Sequence, residues 1–488
     1  MMESLNALVE SADNFLWGKL LVFLLVGTGI YLSFRMRGIQ IFGLRHGIRL
    51  TRGLYDQKED QGDLSHFQAL STALAATVGV GNIAGVAIAI RLGGPGALFW
   101  MWVTAAVGMA TKFTSCTLAL KYREINPDGS VSGGPMYFIE HGLGPKWKWL
   151  AVAFAALAAL ASFGAGCMAQ AGELTRAFMS LVPGLSHPIA GTGIDLGQMG
   201  VGILVAVMVG VVIIGGIHRI GEVASRLVPL MAIFYVGAGI IILLMNVTEL
   251  PQAVYLIVHD AFTGTAAAGG FTGSFFLYTM QMGVRRGLFS NESGQGSAPI
   301  AHATAKTQYP VREGYVALLE PFIDTIIICS ITGLVIVVTG AWTETSGIGG
   351  ADLTAFAFQA GLADLHNIAA QARLGRVIVT IGVILFAYST AISWSYYGDR
   401  CVGYLFGLKA IKPYRYVFCV FLVVGATIKI DLVWNLCDVM NGGMAIPNLI
   451  ALILLSGVVW NELKGYRARI PEFDRALAAQ SSAKEGSS

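Results

Sequence analysis

The sequence predicts an all-α polytopic membrane protein of about eleven transmembrane helices: one N-terminal helix, then two halves of five helices inserted with opposite orientation. Three observations carry this. Only 12% of the 488 residues are charged, with 32 Lys and Arg against 29 Asp and Glu, whereas 55% are hydrophobic and 61 are glycine. Mean hydropathy is +0.66. A soluble domain holds about 25% charged residues beneath a polar exterior, and a disordered chain is polar throughout, so both classes are excluded. Second, apolar runs of about 20 residues, the length that crosses a bilayer, recur along the chain. Third, two of these runs are interrupted by glycines at corresponding places in opposed halves, the pattern of a secondary transporter with inverted repeats.

The runs lie at 14–34, 65–91, 97–120, 149–180, 197–215, 227–247, 266–284, 314–341, 375–398, 414–434 and 442–461. Glu3, Glu10 and Asp13 precede the first run. A signal peptide begins basic, so 14–34 reads as a retained helix. Basic residues alternate between connecting segments. Arg35, Arg37, Arg45, Arg49, Arg52 and Lys58 follow the first run, and Lys121, Arg123, Lys146 and Lys148 follow the third. Arg219 and Arg226, then Arg285, Arg286, Lys306 and Arg312, then Arg400, Lys409, Lys412 and Arg415 continue the series, while loops 183–196, 248–265 and 342–368 contain no Lys or Arg. By the positive-inside rule the N-terminus is outside and the C-terminus cytoplasmic. The domain organisation is a single membrane unit: N-terminal helix and loop at 1–64, first repeat at 65–247, second repeat at 248–463, and a cytoplasmic tail at 464–488.

Net charge of +3 gives nucleic acid no footing. The six cysteines show no CxxC or Cys/His spacing, so neither disulfides nor zinc are expected. The chain holds no GxxxxGK[ST] phosphate loop, HExxH or GxSxG, which argues against ATP-driven transport and against an enzyme, and no organic cofactor is expected.

An unpaired backbone group in lipid costs several kcal/mol, so spanning helices break only where something else satisfies the backbone. The first break falls in Ala75-Ala76-Thr77-Val78-Gly79-Val80-Gly81-Asn82. Twelve residues beyond Ser65, at 1.5 Å each, this stretch reaches about 18 Å into the bilayer, near its midplane. The second break has two candidates, Gly269-Gly270-Phe271-Thr272-Gly273 and Gly294-Gln295-Gly296-Ser297. With Arg285 and Arg286 taken as the cytoplasmic end, the midplane lies about ten residues earlier. This selects 269–273 and makes 289–299 a cytoplasmic gate loop or half-buried hairpin.

A broken helix offers free amides and a positive dipole end to a carboxylate, and free carbonyls to sodium or an ammonium group. A zwitterion is thereby bound without formal side-chain charge. Thr77 and Asn82 add oxygen ligands. Thr390 and Trp394 share one face of the ninth span, where a hydroxyl and a pocket wall are needed. Gln170 is a mid-membrane amide in need of a partner. Glu292 reads as a cytoplasmic structural acid, with a gate or proton-linked role as its alternative.

Several stretches resemble the alanine or glycine:cation symporter family: FQALSTALAATVGVGNIAGV at 67–86, GGPGALFWMW at 93–102, GGPMY at 133–137, RGLFSNE at 286–292 and GSAPIAH at 296–302. The resemblance covers nearly the whole chain. It implies import of a small neutral amino acid, alanine or glycine, together with sodium or in some members protons, across the bacterial cytoplasmic (inner) membrane. It also implies the LeuT-type five-plus-five fold with one extra N-terminal helix, acting as a monomer within the lipid bilayer without an obligatory protein partner. Residues 78–82 are similar to the unwound first helix of LeuT-type neurotransmitter:sodium symporters. That likeness implies that the amides of Gly79, Val80 and Gly81 hold the substrate carboxylate. It implies that Thr77 and Asn82 serve a sodium beside the substrate, and that Ala75 and Val78 carbonyls with Ser389 and Thr390 form a second sodium site. The expected substrate residues are Thr77, Gly79, Val80, Gly81, Asn82, Gln170, Gly270, Phe271, Thr272, Thr390 and Trp394. Two departures stand out: Phe275, Phe276 and Tyr278 bring bulk after the glycines of 269–273, and Ser115 stands where the family often has an acid.

Overall fold

The computed structural model describes residues 11, 13, 15–57, 59–189, 195–263, 272–344, 347–362, 368–428 and 430–485. A π-helical segment, Leu16–Leu20, leads into α1 (Leu21–Arg35). The first half then comprises α2 (His66–Thr77), α3 (Ala84–Gly93), α4 (Gly96–Lys121), α5 (Lys148–Phe163), α6 (Ala169–Leu181), α7 (Leu196–Ile213) and α8 (Gly216–Met245). The second comprises α9 (Leu250–Thr263), α10 (Thr272–Asn291), α11 (Ala298–His302), α12 (Pro310–Ala317), α13 (Ser330–Val338), α14 (Gly350–Gly361), α15 (Ile368–Phe406), α16 (Ile411–Thr427) and α17 (Ile430–Glu485). The one sheet among the described residues is a two-stranded ribbon pairing Glu124–Ile125 with Val131–Ser132.

Among the described residues, eight helices are long and apolar enough to cross a membrane, or nine if α2 and α3 count as one span bent by 63°. The expected runs 14–34 and 266–284 overlap the N-terminal helix and α10. Two segments read as loops, 248–265 and 342–368, carry the helices α9 and α14.

The helices pack through small residues, as lipid-embedded bundles do. α10 lies against α4, where a Cβ on Gly283 would sit 2.2 Å from the Ala97 carbonyl and one on Gly287 would sit 2.4 Å from Thr104 Oγ1. One end of the bundle gathers the basic segments. Arg123 donates to the carbonyls of Gln61, Ala303, Ala305 and Thr307, Leu64 bridges Ala305, and Arg49 pairs with Asp474 at 2.8 Å. The opposite end joins α9, α10 and the start of α4: Trp100 Nε1 donates to the Ala261 carbonyl and Thr279 Oγ1 to that of Gly93.

This arrangement corrects the placement of Arg285 and Arg286. α10 enters from the end opposite the basic segments and carries both arginines inward, to within two turns of its end at Asn291. Arg285 is no cytoplasmic flank. Its guanidinium reaches Asp13 and Asp438, each at 2.6 Å. A cation held by two carboxylates has its charge offset inside the protein, so it does not report a membrane boundary.

Candidate functional site

The first break forms where the sequence puts it. A capping box starts α2: Ser65 Oγ accepts from the Gln68 amide, and Gln68 Oε1 accepts from the Ser65 amide. The helix stops at Thr77, and Val78 and Gly79 leave helical geometry before a 3₁₀ turn at Val80–Asn82. Asn82 holds the gap open. Its Oδ1 accepts from the Gly79 amide at 2.9 Å, which takes that N–H away from the Ala75 carbonyl four residues back. Its Nδ2 donates to Asp324 Oδ1 at 2.6 Å.

The second described break follows Asn291. Residues 269–271 lie outside the described residues. Thr272 is the first residue of α10, about 28 Å along a straight helix from Asn291. The chain opens at 292–297, the candidate that the arginine argument set aside. Glu292 has φ 53°, Gly294 φ 88° and Gly296 φ 94°. These left-handed turns suit glycine, and a Cβ at Gly294 would also strike Leu25 Cδ2 at 2.4 Å. Side-chain amides satisfy the freed backbone: Gln295 donates to the Leu288 carbonyl, Asn448 to that of Gly294, and Ser293 N donates to Asn291 Oδ1. This is how a non-helical stretch persists at membrane depth.

The two breaks meet. A Cβ on Gly81 would touch Phe289 and the Ser290 backbone. Between them lies a pocket of about 20 Å³, lined by Ala76, Thr77, Gly79, Val80, Gly81, Ala165, Gln170, Phe289, Glu292, Thr390, Trp394 and Asn441. That is the space of about one water. The structure thus brings together Thr77, Gly79, Val80, Gly81, Gln170, Thr390 and Trp394 from the expected set. Asn82 turns away to Asp324, Ser389 Oγ bonds the Phe386 carbonyl in its own helix, and Ala75 and Val78 are buried along the break without lining the pocket. Thr77 Oγ1 back-bonds to the Ala73 and Leu74 carbonyls. Thr390 Oγ1 is different: it is buried without a hydrogen-bond partner and faces Gly79.

Trp394 is a pocket wall and no interfacial anchor. It is 2% exposed, and its Nε1 donates to Glu292 Oε1 at 2.9 Å. Glu292, read from the sequence as a cytoplasmic structural acid, lies inside the bundle. It is buried in the second break and accepts a further hydrogen bond from Ser297. Gln170 donates to the Ala165 carbonyl at 3.0 Å within a π turn, Gly164–Met168, and keeps Oε1 unpaired.

Sequence reasoning missed Asp324. Pro321 has no amide hydrogen, and the chain re-registers after it as a π-helix, Phe322–Cys329. Asp324 then meets the first break. It is fully buried, and Asn82, Ser290 Oγ at 2.8 Å and Thr325 Oγ1 at 2.8 Å donate to it, with no basic side chain in ion-pair contact among the described residues. The rule that an ionisable residue inside the membrane marks a functional site points to it from sequence.

A larger vestibule of about 580 Å³ adjoins the pocket and shares Val80, Gly81 and Phe289 with it. Arg285, Arg286, Arg376, Glu173, Asp352 and Asp438 line it, and at its mouth the Arg176 side chain is 57% exposed. Phe289 and the Val80–Gly81 turn separate the two spaces.

The sodium:alanine symporter family model matches residues 2–477. The chain is 45% identical over 467 residues to the sodium/alanine symporter AgcS of Methanococcus maripaludis, covering 94% of this chain and 97% of the relative. It is 38% identical to the probable sodium/glutamine symporter GlnT of Bacillus subtilis, covering 96% and 91%. It is 34% identical to the putative sodium/proton-dependent alanine carrier YrbD of the same organism, covering 94% and 92%. Among solved structures, MhsT in complex with L-phenylalanine superimposes with a TM-score of 0.56 at 13% identity, covering 83% of this chain and 98% of that one. That likeness gives the fold, a LeuT-type bundle.

Proposed function

Because the chain belongs to the sodium:alanine symporter family, we propose that it is a sodium-coupled importer of a small neutral amino acid, alanine or glycine, working by alternating access. The observation that carries this reading is the pocket between two opposed helix breaks. Of the Gly79–Gly81 turn, the Val80 and Gly81 amides are open to a carboxylate, the Gly79 amide being held by Asn82, and the far wall is the Glu292–Trp394 pair. Sodium is assigned to two places: Thr390 Oγ1 with the Ala75 and Val78 carbonyls, and Asp324 with the oxygens of Ser290 and Thr325. A buried carboxylate without a basic partner carries an uncompensated charge that a cation offsets. The end with the basic segments is assigned to the cytoplasm of a bacterial cell, and the arginine-lined vestibule to the outside. Substrate and ion enter through the vestibule and leave between α2 and its neighbours. Binding of both at one site couples them, since each raises the affinity for the other.

A thermal-unfolding screen of the purified chain tests this. Alanine or glycine should raise the midpoint in sodium and leave it unchanged in potassium, because a ligand stabilises the fold that it binds. Equal stabilisation in both salts, or stabilisation by glutamine alone, rejects the reading.

A further inference from the structure

Five ionisable side chains lie buried between the pocket and the basic end, and none serves the proposed site. They form a line. Lys112 Nζ of α4 lies 2.7 Å from Glu320 Oε2, and Glu320 Oε1 lies 3.5 Å from His302 Nε2 on α11. His302 Nδ1 lies 2.6 Å from Glu313 Oε1 on α12, and the other oxygen of Glu313 is in contact with His66 Nδ1, at the first residue of α2. Each of the five is no more than 1% exposed. The line ends at solvent: His66 Nε2 is 4.0 Å from Asp56 Oδ1, and the Asp56 side chain is 45% exposed.

The charges do not close. With both imidazoles neutral, Lys112 faces Glu313 and Glu320, leaving one net negative charge sealed in a low-dielectric interior. Such a charge strongly disfavours the closed arrangement unless a cation or a proton offsets it. The surrounding groups do not supply the missing cation. Arg312 stands 4.0 Å from Asp60 and donates to the Tyr55 carbonyl. Arg123 keeps its charge and acts on Glu313 from a distance, but its N–H groups go to four carbonyls and it makes no ion pair with Glu313 or Glu320 among the described residues. Asp63 accepts from the Val131 amide, and Glu292 takes Trp394 and Ser297 as donors. Asp324, which also faces Lys112, takes Asn82, Ser290 and Thr325 as donors, and Cys116 of α4 and Tyr397 of α15 are neutral in their ordinary forms. Each histidine has Nδ1 on Glu313; Nε2 of His66 is buried without a hydrogen-bond partner, and Nε2 of His302 faces Glu320 Oε1 at 3.5 Å.

We propose that this cluster is a proton-binding site: closing α2 against α11 and α12 takes one proton from the water beside Asp56 onto a histidine Nε2, and opening α2 returns it. The proposal rests on the reading that α2, hinged at Gly79–Gly81, moves during transport. The sign follows from linkage. The closed state binds one more proton than the open one, so alkaline pH favours opening. Over the pH range where the proton is exchanged, the opening constant rises about tenfold per pH unit.

Hydrogen exchange of the α2 amides tests it on the purified full-length chain, from pH 6 to 9 and corrected for intrinsic exchange rates. Protection should fall about tenfold per pH unit over part of that range. In Glu313→Gln, Lys112 and Glu320 balance without a proton, so protection should persist and its pH slope should vanish. A wild-type profile without slope overturns the proposal, as does a slope retained in Glu313→Gln. Should that variant fail to fold, the double variant His66→Gln/His302→Gln, which holds no proton, should be flat, and a slope in it is equally decisive. Failure of the transport reading looks different: sodium with alanine would leave α2 protection unchanged at every pH.

Discussion

Gly166→Ala sets two effects against each other. Alanine is the better helix former by about 1 kcal/mol, so propensity alone favours the variant. The structure opposes it. A Cβ on Gly166 would lie 2.2 Å from Trp394 Cβ and 2.5 Å from Cγ, at the rigid base of that side chain. Ordinary carbon contacts need about 3.5 Å, so the Gly164–Met168 π turn and α15 must separate by about 1 Å. The Trp394–Glu292 hydrogen bond stands at 2.9 Å, and such bonds fail beyond about 3.2 Å. Losing a hydrogen bond to a buried charged group costs about 1.5–3 kcal/mol. Alanine affinity should therefore fall roughly 10- to 150-fold. Equilibrium binding of radiolabelled alanine at saturating sodium measures this. Gly200→Ala, on α7, is the control: nothing lies within 4 Å of its Cβ position, so binding should not change. Unchanged or tighter binding by Gly166→Ala would refute the pocket wall described here.

Thr390→Val removes the unpartnered hydroxyl and should raise the sodium concentration for half-maximal alanine binding about tenfold; an unmoved sodium curve rejects that assignment. Asp324→Asn keeps the shape and removes the charge. It should weaken sodium dependence by about tenfold or more, read from sodium titrations of alanine binding, and a normal titration counts against Asp324 as an ion ligand. Arg285→Gln leaves Asp13 and Asp438 without their common partner. It should lower stability by about 3 kcal/mol in chemical unfolding, and an unaltered unfolding curve shows the triad to be dispensable.

Much of this was legible in the sequence, because lipid imposes a simple rule: about 20 apolar residues per crossing. The first break was equally open to reading, since Gly79, Gly81 and Asn82 interrupt a charge-free run. The second was not. Arg285 finds its partners at Asp13 and Asp438, far away in the chain, and nothing local distinguishes such an arginine from one flanking a membrane. Taking it as a flank selects 269–273, of which 269–271 lie outside the described residues, over 294–297, where the described chain opens, and makes Glu292 a cytoplasmic structural acid. Thr77 and Ser389 illustrate a finer limit. Their hydroxyls back-bond to their own helices, while Thr390 faces the other chain segment, a choice set by packing against Gly79.

Uptake by proteoliposomes containing the purified chain tests the central claim most directly. Labelled alanine should accumulate above its equilibrium level under an inward sodium gradient, and a sodium ionophore should abolish the accumulation. Alanine that merely equilibrates, or accumulates equally without the sodium gradient, would contradict the account.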